Sequence, residues 1–195
     1  MVIIIICFSL LLGIILGAIG ANTMDELQYH EIGNYLSSFF DTLKENKLSE
    51  KESFSYSFIK YEKYVILIWL CGFIPPGVIA IILLLFFRGL GLGFTTAVMI
   101  KEYGNFGAVL SSVSYLPQNI IMIPVLVTIS YIAIEYILKK FTYGSPKSRL
   151  KREKQKIIIE YCIVFAVSGI FVAVAAGIES YFIPIFMEKI ASFIK

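Results

Sequence analysis

Long apolar segments without a charged residue recur along this chain, and they limit its fold more than any other feature. The first, residues 1–21, carries no charge at all. A membrane-spanning helix needs about 20 consecutive apolar residues, so this segment is long enough to cross a bilayer.

The composition agrees with a membrane location. Apolar residues make up 58% of the 195 residues and charged residues 16%, whereas soluble domains average about 45–50% and about 25%. A chain of this size could not bury that apolar excess in a water-surrounded core. The sequence therefore excludes a soluble globule, a disordered chain and a secreted disulfide scaffold. It predicts an all-α, polytopic membrane helix bundle.

The apolar segments predict about five transmembrane helices within a single integral membrane domain of residues 1–195. The predicted spans are residues 1–21, 64–87, 88–100, 105–138 and 157–178. The fourth holds 34 residues, which would extend about 51 Å as one straight helix. Because proline removes a backbone donor, Pro117 is predicted to break this helix, and Pro75-Pro76-Gly77 to bend or break the second span.

Residues 1–21 also allow a second interpretation, as a signal peptide. Ala18 and Gly20 offer small residues for a cleavage site. The apolar run, however, is longer than the usual 7–15 residues, and no basic region precedes it, so a span is favoured. Gly13 and Gly17 lie four residues apart, a small-residue pattern that suits close helix packing in lipid.

The loop charges choose between two arrangements of residues 88–117. Either residues 88–100 cross the membrane and a long broken helix returns, or two short halves form a re-entrant hairpin. Residues 22–63 hold five Lys and eight Asp or Glu, a net of −3, and residues 139–156 hold eight Lys or Arg and one Glu, a net of +7. Cytoplasmic loops collect Lys and Arg. The basic loop is therefore predicted inside and the acidic segment outside, which requires an odd number of crossings between them.

Three crossings meet this requirement, whereas the hairpin gives two. The hairpin also buries Lys101 and Glu102 in hydrocarbon, which is costly. The predicted topology is a multi-pass plasma membrane protein with a cytoplasmic N-terminus and an extracytoplasmic C-terminus.

Amphipathic helices are predicted outside the spans. The extracytoplasmic segment 22–63 contains a helical stripe of apolar residues, and Ser49 with Glu52 forms a capping-box pattern before a second helix. Residues 180–195 predict a C-terminal interfacial helix. The basic cytoplasmic loop 139–156 is expected to lie against the anionic inner leaflet of the lipid bilayer. Since topology alone explains its charge, no nucleic-acid partner is predicted.

The sequence offers little for catalysis. His30 is the single histidine, and Cys7, Cys71 and Cys162 fall within the predicted spans, where they are interpreted as packing residues. A metal site would need several clustered ligands. We therefore predict no catalytic residue, no metal site and no cofactor, and a protein that is not an enzyme.

Two motifs are unusual for membrane spans. In Arg88-Gly89-Leu90-Gly91-Leu92-Gly93-Phe94, the glycines Gly89 and Gly93 share one helix face and predict a tight packing seam. Arg88 is interpreted as an interface anchor that closes the second span. In Pro117-Gln118-Asn119, two amides beside a helix break must find hydrogen-bond partners. They would either satisfy freed carbonyls or line a substrate path, as broken helices do in transporters.

These motifs resemble the stage II sporulation protein M family. The resemblance rests on the run from Phe86 to Thr95, on Leu116-Pro117-Gln118-Asn119 and on Ile123-Pro124, and it extends in general character over the whole chain. One departure is the start, Met1-Val2-Ile3, where a basic cytoplasmic tail would be expected. The resemblance implies a non-catalytic scaffold of the sporulation engulfment machinery. That scaffold holds the peptidoglycan-degrading stage II sporulation proteins D and P at the sporulation septum.

The candidate site residues are therefore helix-packing or interface positions. They are Gly13, Gly17, Arg88, Gly89, Gly93, Pro117, Gln118 and Asn119. The glycine seams are expected to hold the bundle together or to join two copies in a homo-oligomer. A transporter or permease subunit is the second hypothesis, motivated by Gln118, Asn119 and Glu135. A mid-membrane cavity lined by those three residues would favour it, and a dry interior would favour the scaffold.

Overall fold

The computed structural model of the protein describes residues 1–25, 50–142 and 151–182, and these are almost entirely helical. The helices are α1 (Val2–Asn22), α2 (Glu50–Cys71), α3 (Gly77–Ile137) and α4 (Lys151–Gly177). Short π-helical turns, Leu138–Thr142 and Ile178–Phe182, extend α3 and α4. No strand occurs within these three ranges, so the predicted all-helical fold is confirmed for them.

Within the described residues, three helices are long and apolar enough to cross a membrane. They are Val2–Asn22, Gly77–Lys140 and Ile158–Tyr181. Large apolar side chains such as Phe8, Phe87 and Ile170 are exposed on their outer faces, where water would be an unfavourable solvent and lipid is a favourable one. The coarse prediction of a helical membrane bundle therefore agrees with the structure.

The predicted span 64–87 is two helices. α2 ends at Cys71, residues 72–76 turn, and α3 begins at Gly77. Pro75 and Pro76 have no amide hydrogen to continue the helix, and a Cβ on Gly77 would collide with the carbonyl oxygen of Cys71. The turn reverses the chain, because Arg88 of α3 lies beside the rings of Tyr61 and Tyr64 of α2.

α3 folds back on itself at Gly104. This residue has φ 58° and ψ −137°, a conformation that only glycine adopts without strain. The two limbs, residues 77–103 and 105–137, run antiparallel, since Gly107 abuts the carbonyl of Met99 and Arg88 bonds to Asn119. Residues 77–103 span about 40 Å as a helix, so the predicted short span 88–100 belongs to a longer helix.

The predicted break at Pro117 is wrong, because the helix continues through both Pro117 and Pro124. A proline within a helix removes one backbone hydrogen bond, and two neighbouring amides bond to carbonyls in the preceding turn. Gln118 Nε2 donates to Ser114 O at 3.3 Å, and Asn119 Nδ2 donates to Tyr115 O at 2.8 Å.

All four helices contribute to the main buried apolar core, and Ala21, Val98 and Met99 form a second, smaller cluster. α1 runs parallel to the first limb of α3, where Ser9 Oγ donates to Ile82 O at 2.9 Å. The core contains side chains from every helix, among them Ile6, Val65, Leu85, Met122, Leu126 and Val172. At one end, Tyr161 of α4 stacks on Tyr136 with ring centroids 4.5 Å apart. This end also carries Lys139 and Lys140, and we call it the basic end. The opposite end, at Asn22 and Gly104, is the hairpin end.

Several sequence predictions lie outside the described residues. These concern His30, the apolar stripe before residue 50, Ser49 of the capping box, residues 143–150 of the basic loop, and residues 183–195 of the C-terminal helix.

Candidate functional site

Four glycines bring α1 and the first limb of α3 into backbone contact. A Cβ on Gly13 would collide with Phe86 O, and one on Gly17 with Leu90 O. The contacts are reciprocal, since a Cβ on Gly89 would collide with Leu10 O, and one on Gly93 with Ile14 O. We call these four residues the glycine seam. It lies within a single chain, and backbone atoms on both sides leave no flexible group to move aside.

Arg88 lies far inside α3 and not at the end of a helix. It follows Gly77 by 11 residues, about 16 Å along the axis. Its guanidinium carbon lies 5.4 Å from the ring centroids of both Tyr61 and Tyr64, within the range of a cation–π interaction. Its Nη2 donates to Asn119 Oδ1 at 3.3 Å. Arg88 therefore does not close a helix as the predicted span 64–87 required, and two aromatic faces and an amide surround its charge.

An ion pair lies next to Arg88. Lys60 Nζ of α2 lies 3.3 Å from Glu179 Oε1, at the end of α4, and their side chains are 39% and 19% exposed. Tyr61 is fully buried, and both Glu179 and Arg88 act electrostatically on its hydroxyl. Together these side chains join α2, both limbs of α3 and the end of α4. We call them the polar cluster: Lys60, Tyr61, Tyr64, Arg88, Asn119 and Glu179.

Several polar atoms in and around this cluster are buried without a hydrogen bond of ordinary geometry. Within the cluster they are Tyr61 OH, Arg88 Nε and Glu179 Oε2, and beside Asn119 lies Gln118 Oε1. An unsatisfied buried polar atom costs about 1–3 kcal/mol. Ionisable residues inside a membrane bundle are rare and usually functional. The polar cluster is therefore the strongest candidate for a functional site among the described residues.

The three residues that motivated a transport path do not meet. Gln118 is 1% exposed and Asn119 is 6% exposed. Glu135 lies at the basic end, where it accepts hydrogen bonds from Tyr131 and, at 2.8 Å, from Lys139. Glu135 follows Asn119 by 16 residues, which corresponds to about 24 Å of helix. These three residues therefore do not line one cavity, which is the feature that would favour the transporter hypothesis.

An apolar cavity of about 540 Å³ lies between the second limb of α3 and α4, against Pro124, Ile129, Val167 and Phe171. Within the parts of the chain that the structure describes, no group of three or more His, Cys, Asp or Glu side chains is placed to hold a metal ion.

Sequence analysis missed Lys60, Tyr61 and Glu179. The signal was present, since ionisable residues lie directly beside the apolar segments at residues 60–63 and 179. Each falls at the end of an apolar run, where a charge normally marks the membrane surface. Only the packing of α2 and α4 against α3 brings them to Arg88.

The described residues form a helical integral membrane protein. Its helices have apolar outer faces, two parallel helices meet at the glycine seam, and the polar cluster lies inside the bundle. The model of the family described as stage II sporulation protein M matches residues 4–184, which include both the seam and the cluster. The chain belongs to this family and is a sporulation-related membrane protein. No curated protein and no solved structure matches the chain.

Proposed function

We propose that this protein is a non-catalytic, multi-pass membrane scaffold of the sporulation engulfment machinery. It recruits or localises septal peptidoglycan-degrading enzymes, with stage II sporulation proteins D and P as its partners. The observation that carries the proposal is the family match over residues 4–184. The packing supports it, because the glycine seam fixes the backbones of two helices against each other, as a rigid platform for partners requires.

The proposed topology has five crossings, with the N-terminus in the cytoplasm. α1 and residues 77–103 run from the basic end to the hairpin end, and α2 and residues 105–137 run in the opposite direction. α4 passes Tyr136 at Tyr161, and Glu179 beyond its end reaches Lys60, so α4 forms the fifth crossing. The basic loop 139–156 then lies inside, as positive loops do. The proposed location is the plasma membrane, including the sporulation septum.

Site-specific photo-crosslinking in sporulating cells tests the scaffold role. A crosslinker at Tyr56, which is 73% exposed on α2, would lie on the extracytoplasmic side of the proposed topology. The same group at Ile4, 71% exposed on α1, would lie near the cytoplasmic side and is the matched control. We expect two wall hydrolases to be captured from Tyr56 and not from Ile4. Equal capture of both enzymes from the two positions would contradict the proposal.

A permease subunit is the second candidate function. The observation that favours it is the presence of Lys60, Arg88 and Glu179 inside an apolar bundle, where ionisable residues often mark transport paths. Recovery of an ATPase subunit in the same crosslinking experiment, without wall hydrolases, would support this candidate over the scaffold.

A further inference from the structure

Two ionisable side chains of α2 have no charged partner within the described part of the bundle. Lys63 is exposed on the outer side of the helix, and neither Lys63 nor Glu62 forms an ion pair among the described residues. Glu62 Oε2 is buried without a hydrogen bond. Lys60, by contrast, is paired with Glu179. The described bundle therefore leaves one cation and one anion of α2 uncompensated.

Both side chains lie at membrane depth in the five-crossing topology proposed above, on which this inference rests. Lys63 precedes Cys71, the last residue of α2, by eight residues, or about 12 Å along the helix axis. It follows Glu50, the first residue, by 13 residues, or about 20 Å. A hydrocarbon core about 30 Å thick therefore contains both charges. Charged side chains at such a depth almost always face protein or a water-filled cavity and not lipid.

The surface between the two charges is apolar, which favours a protein partner over water. Ile59, Ile66 and Leu70 are exposed, and their spacings of seven and four residues place them on one face of the helix. At about 100° per residue, this apolar stripe lies between Glu62 and Lys63, which form its two edges. We call these five residues the α2 outer face.

The opposite charges of the two edges make the α2 outer face complementary to a second copy of itself. A two-fold axis parallel to α2 brings two such faces together and exchanges their edges, so that Glu62 of each copy lies opposite Lys63 of the other. Because consecutive residues differ in height by only about 1.5 Å, both pairs form at the same depth. On the Glu62 edge, a cavity of about 240 Å³ lined also by Trp69, Phe165 and Ala166 provides room for a lysine side chain.

We propose that the protein forms a homodimer through the α2 outer face, with two reciprocal Glu62–Lys63 ion pairs inside the membrane. Ile59, Ile66 and Leu70 of the two copies pack between these pairs, near the axis. The glycine seam is not available for this contact, because it is filled within one chain. The dimer requires no wall hydrolase, so it is tested separately from the scaffold role.

Disulfide crosslinking of the full chain in isolated membranes tests the dimer. Cys7, Cys71 and Cys162 are replaced by alanine, and one new cysteine is introduced at a time. Ile66→Cys places a thiol near the proposed axis. Leu67→Cys is the matched control, because the two side chains are 46% and 45% exposed but point about 100° apart around the same helix. We expect oxidation to produce a covalent dimer from Ile66→Cys and little or none from Leu67→Cys.

Charge reversal in the Ile66→Cys chain then tests the ion pairs. Lys63→Glu places two carboxylates opposite each other at both pairs, and we expect the crosslink to be lost. Adding Glu62→Lys restores opposite charges in the exchanged order and should restore the crosslink, which a chain that had merely misfolded would not do. An unchanged crosslink in Lys63→Glu, or no rescue by the double variant, would overturn the ion pairs.

The control variant also separates the dimer from the proposed topology. In that topology Leu67→Cys lies in the bilayer and should resist a membrane-impermeant maleimide added from the water. Rapid labelling would place α2 in water and overturn the five-crossing topology together with the dimer. An unlabelled Leu67→Cys, combined with equal crosslinking of the two cysteine variants or with capture of a different protein by Ile66→Cys, would overturn the dimer alone.

Discussion

The glycine seam makes a quantitative prediction, because the same helix contains a matched control. Gly89 and Gly91 lie two residues apart in the first limb of α3. A Cβ on Gly89 would collide with the carbonyl oxygen of Leu10 and lie 3.1 Å from the backbone nitrogen of Ile14, whereas a Cβ on Gly91 meets nothing within 4 Å. Changing either glycine to alanine brings the same gain in helix propensity, about 1 kcal/mol. The difference in free energy of unfolding between the two variants therefore measures the contribution of the seam contact.

The magnitude follows from the backbone contact. Neither side of the seam can yield by side-chain rotation, so Gly89→Ala must separate α1 from α3. A gap of about 0.5–1 Å already forfeits a quarter to a half of the dispersion attraction between facing atoms. Insertion of an extra methyl group into a close-packed interior typically costs about 1–3 kcal/mol. We expect Gly89→Ala to be less stable than Gly91→Ala by about this amount.

The assay is reversible unfolding in mixed micelles, in which SDS is titrated against a mild detergent and helix content is followed by circular dichroism. The two variants and the unmodified chain are compared at equal protein-to-detergent ratios. Equal free energies of unfolding for Gly89→Ala and Gly91→Ala would refute the backbone contact. Gly17→Ala should behave like Gly89→Ala, since its Cβ would meet Leu90 O from the other helix.

Two more predictions concern buried tyrosines and the reversal in α3, and the same unfolding assay checks both. Tyr161→Phe should cost about 1 kcal/mol, because its hydroxyl donates to Trp69 O at 3.1 Å. Tyr61→Phe should cost less than Tyr161→Phe, since the Tyr61 hydroxyl has no hydrogen bond of ordinary geometry; a larger loss for Tyr61→Phe would contradict this reasoning. Gly104→Ala should destabilise by at least about 1–2 kcal/mol, because the residue has φ 58°. No loss of stability there would mean that the chain does not reverse at this position.

Local patterns in the sequence predict which residues share a helix face, but they do not predict which faces pack together. Four-residue spacing shows that Gly13 and Gly17 share a helix face, and that Gly89 and Gly93 share another. It cannot show that the two faces meet, because the residues that meet are more than 70 positions apart. The spacing is a property of one helix, whereas the pairing depends on the direction of both.

Local rules place a helix end at Arg88 and a helix break at Pro117, whereas α3 continues through both. A charge at the end of an apolar run normally marks the membrane surface, but Tyr61, Tyr64 and Asn119 from other segments surround this one. A proline normally predicts a helix break, but Pro117 removes only one backbone donor and α3 continues through it. Periodicity reveals neither the partners of Arg88 nor this continuation.

The parallel pairing of α1 with the first limb of α3 has a consequence for biosynthesis. Gly17 packs against Leu90 and the nitrogen of Phe94, so the seam of α1 is complete only after the chain has grown by 77 further residues. At about 5–20 residues per second, this interval lasts roughly 4–15 s. During that time α2, which is made earlier, must not occupy the glycine face of α1. The order in which the helices are made therefore differs from the order in which they pack, and α1 is inserted before it docks.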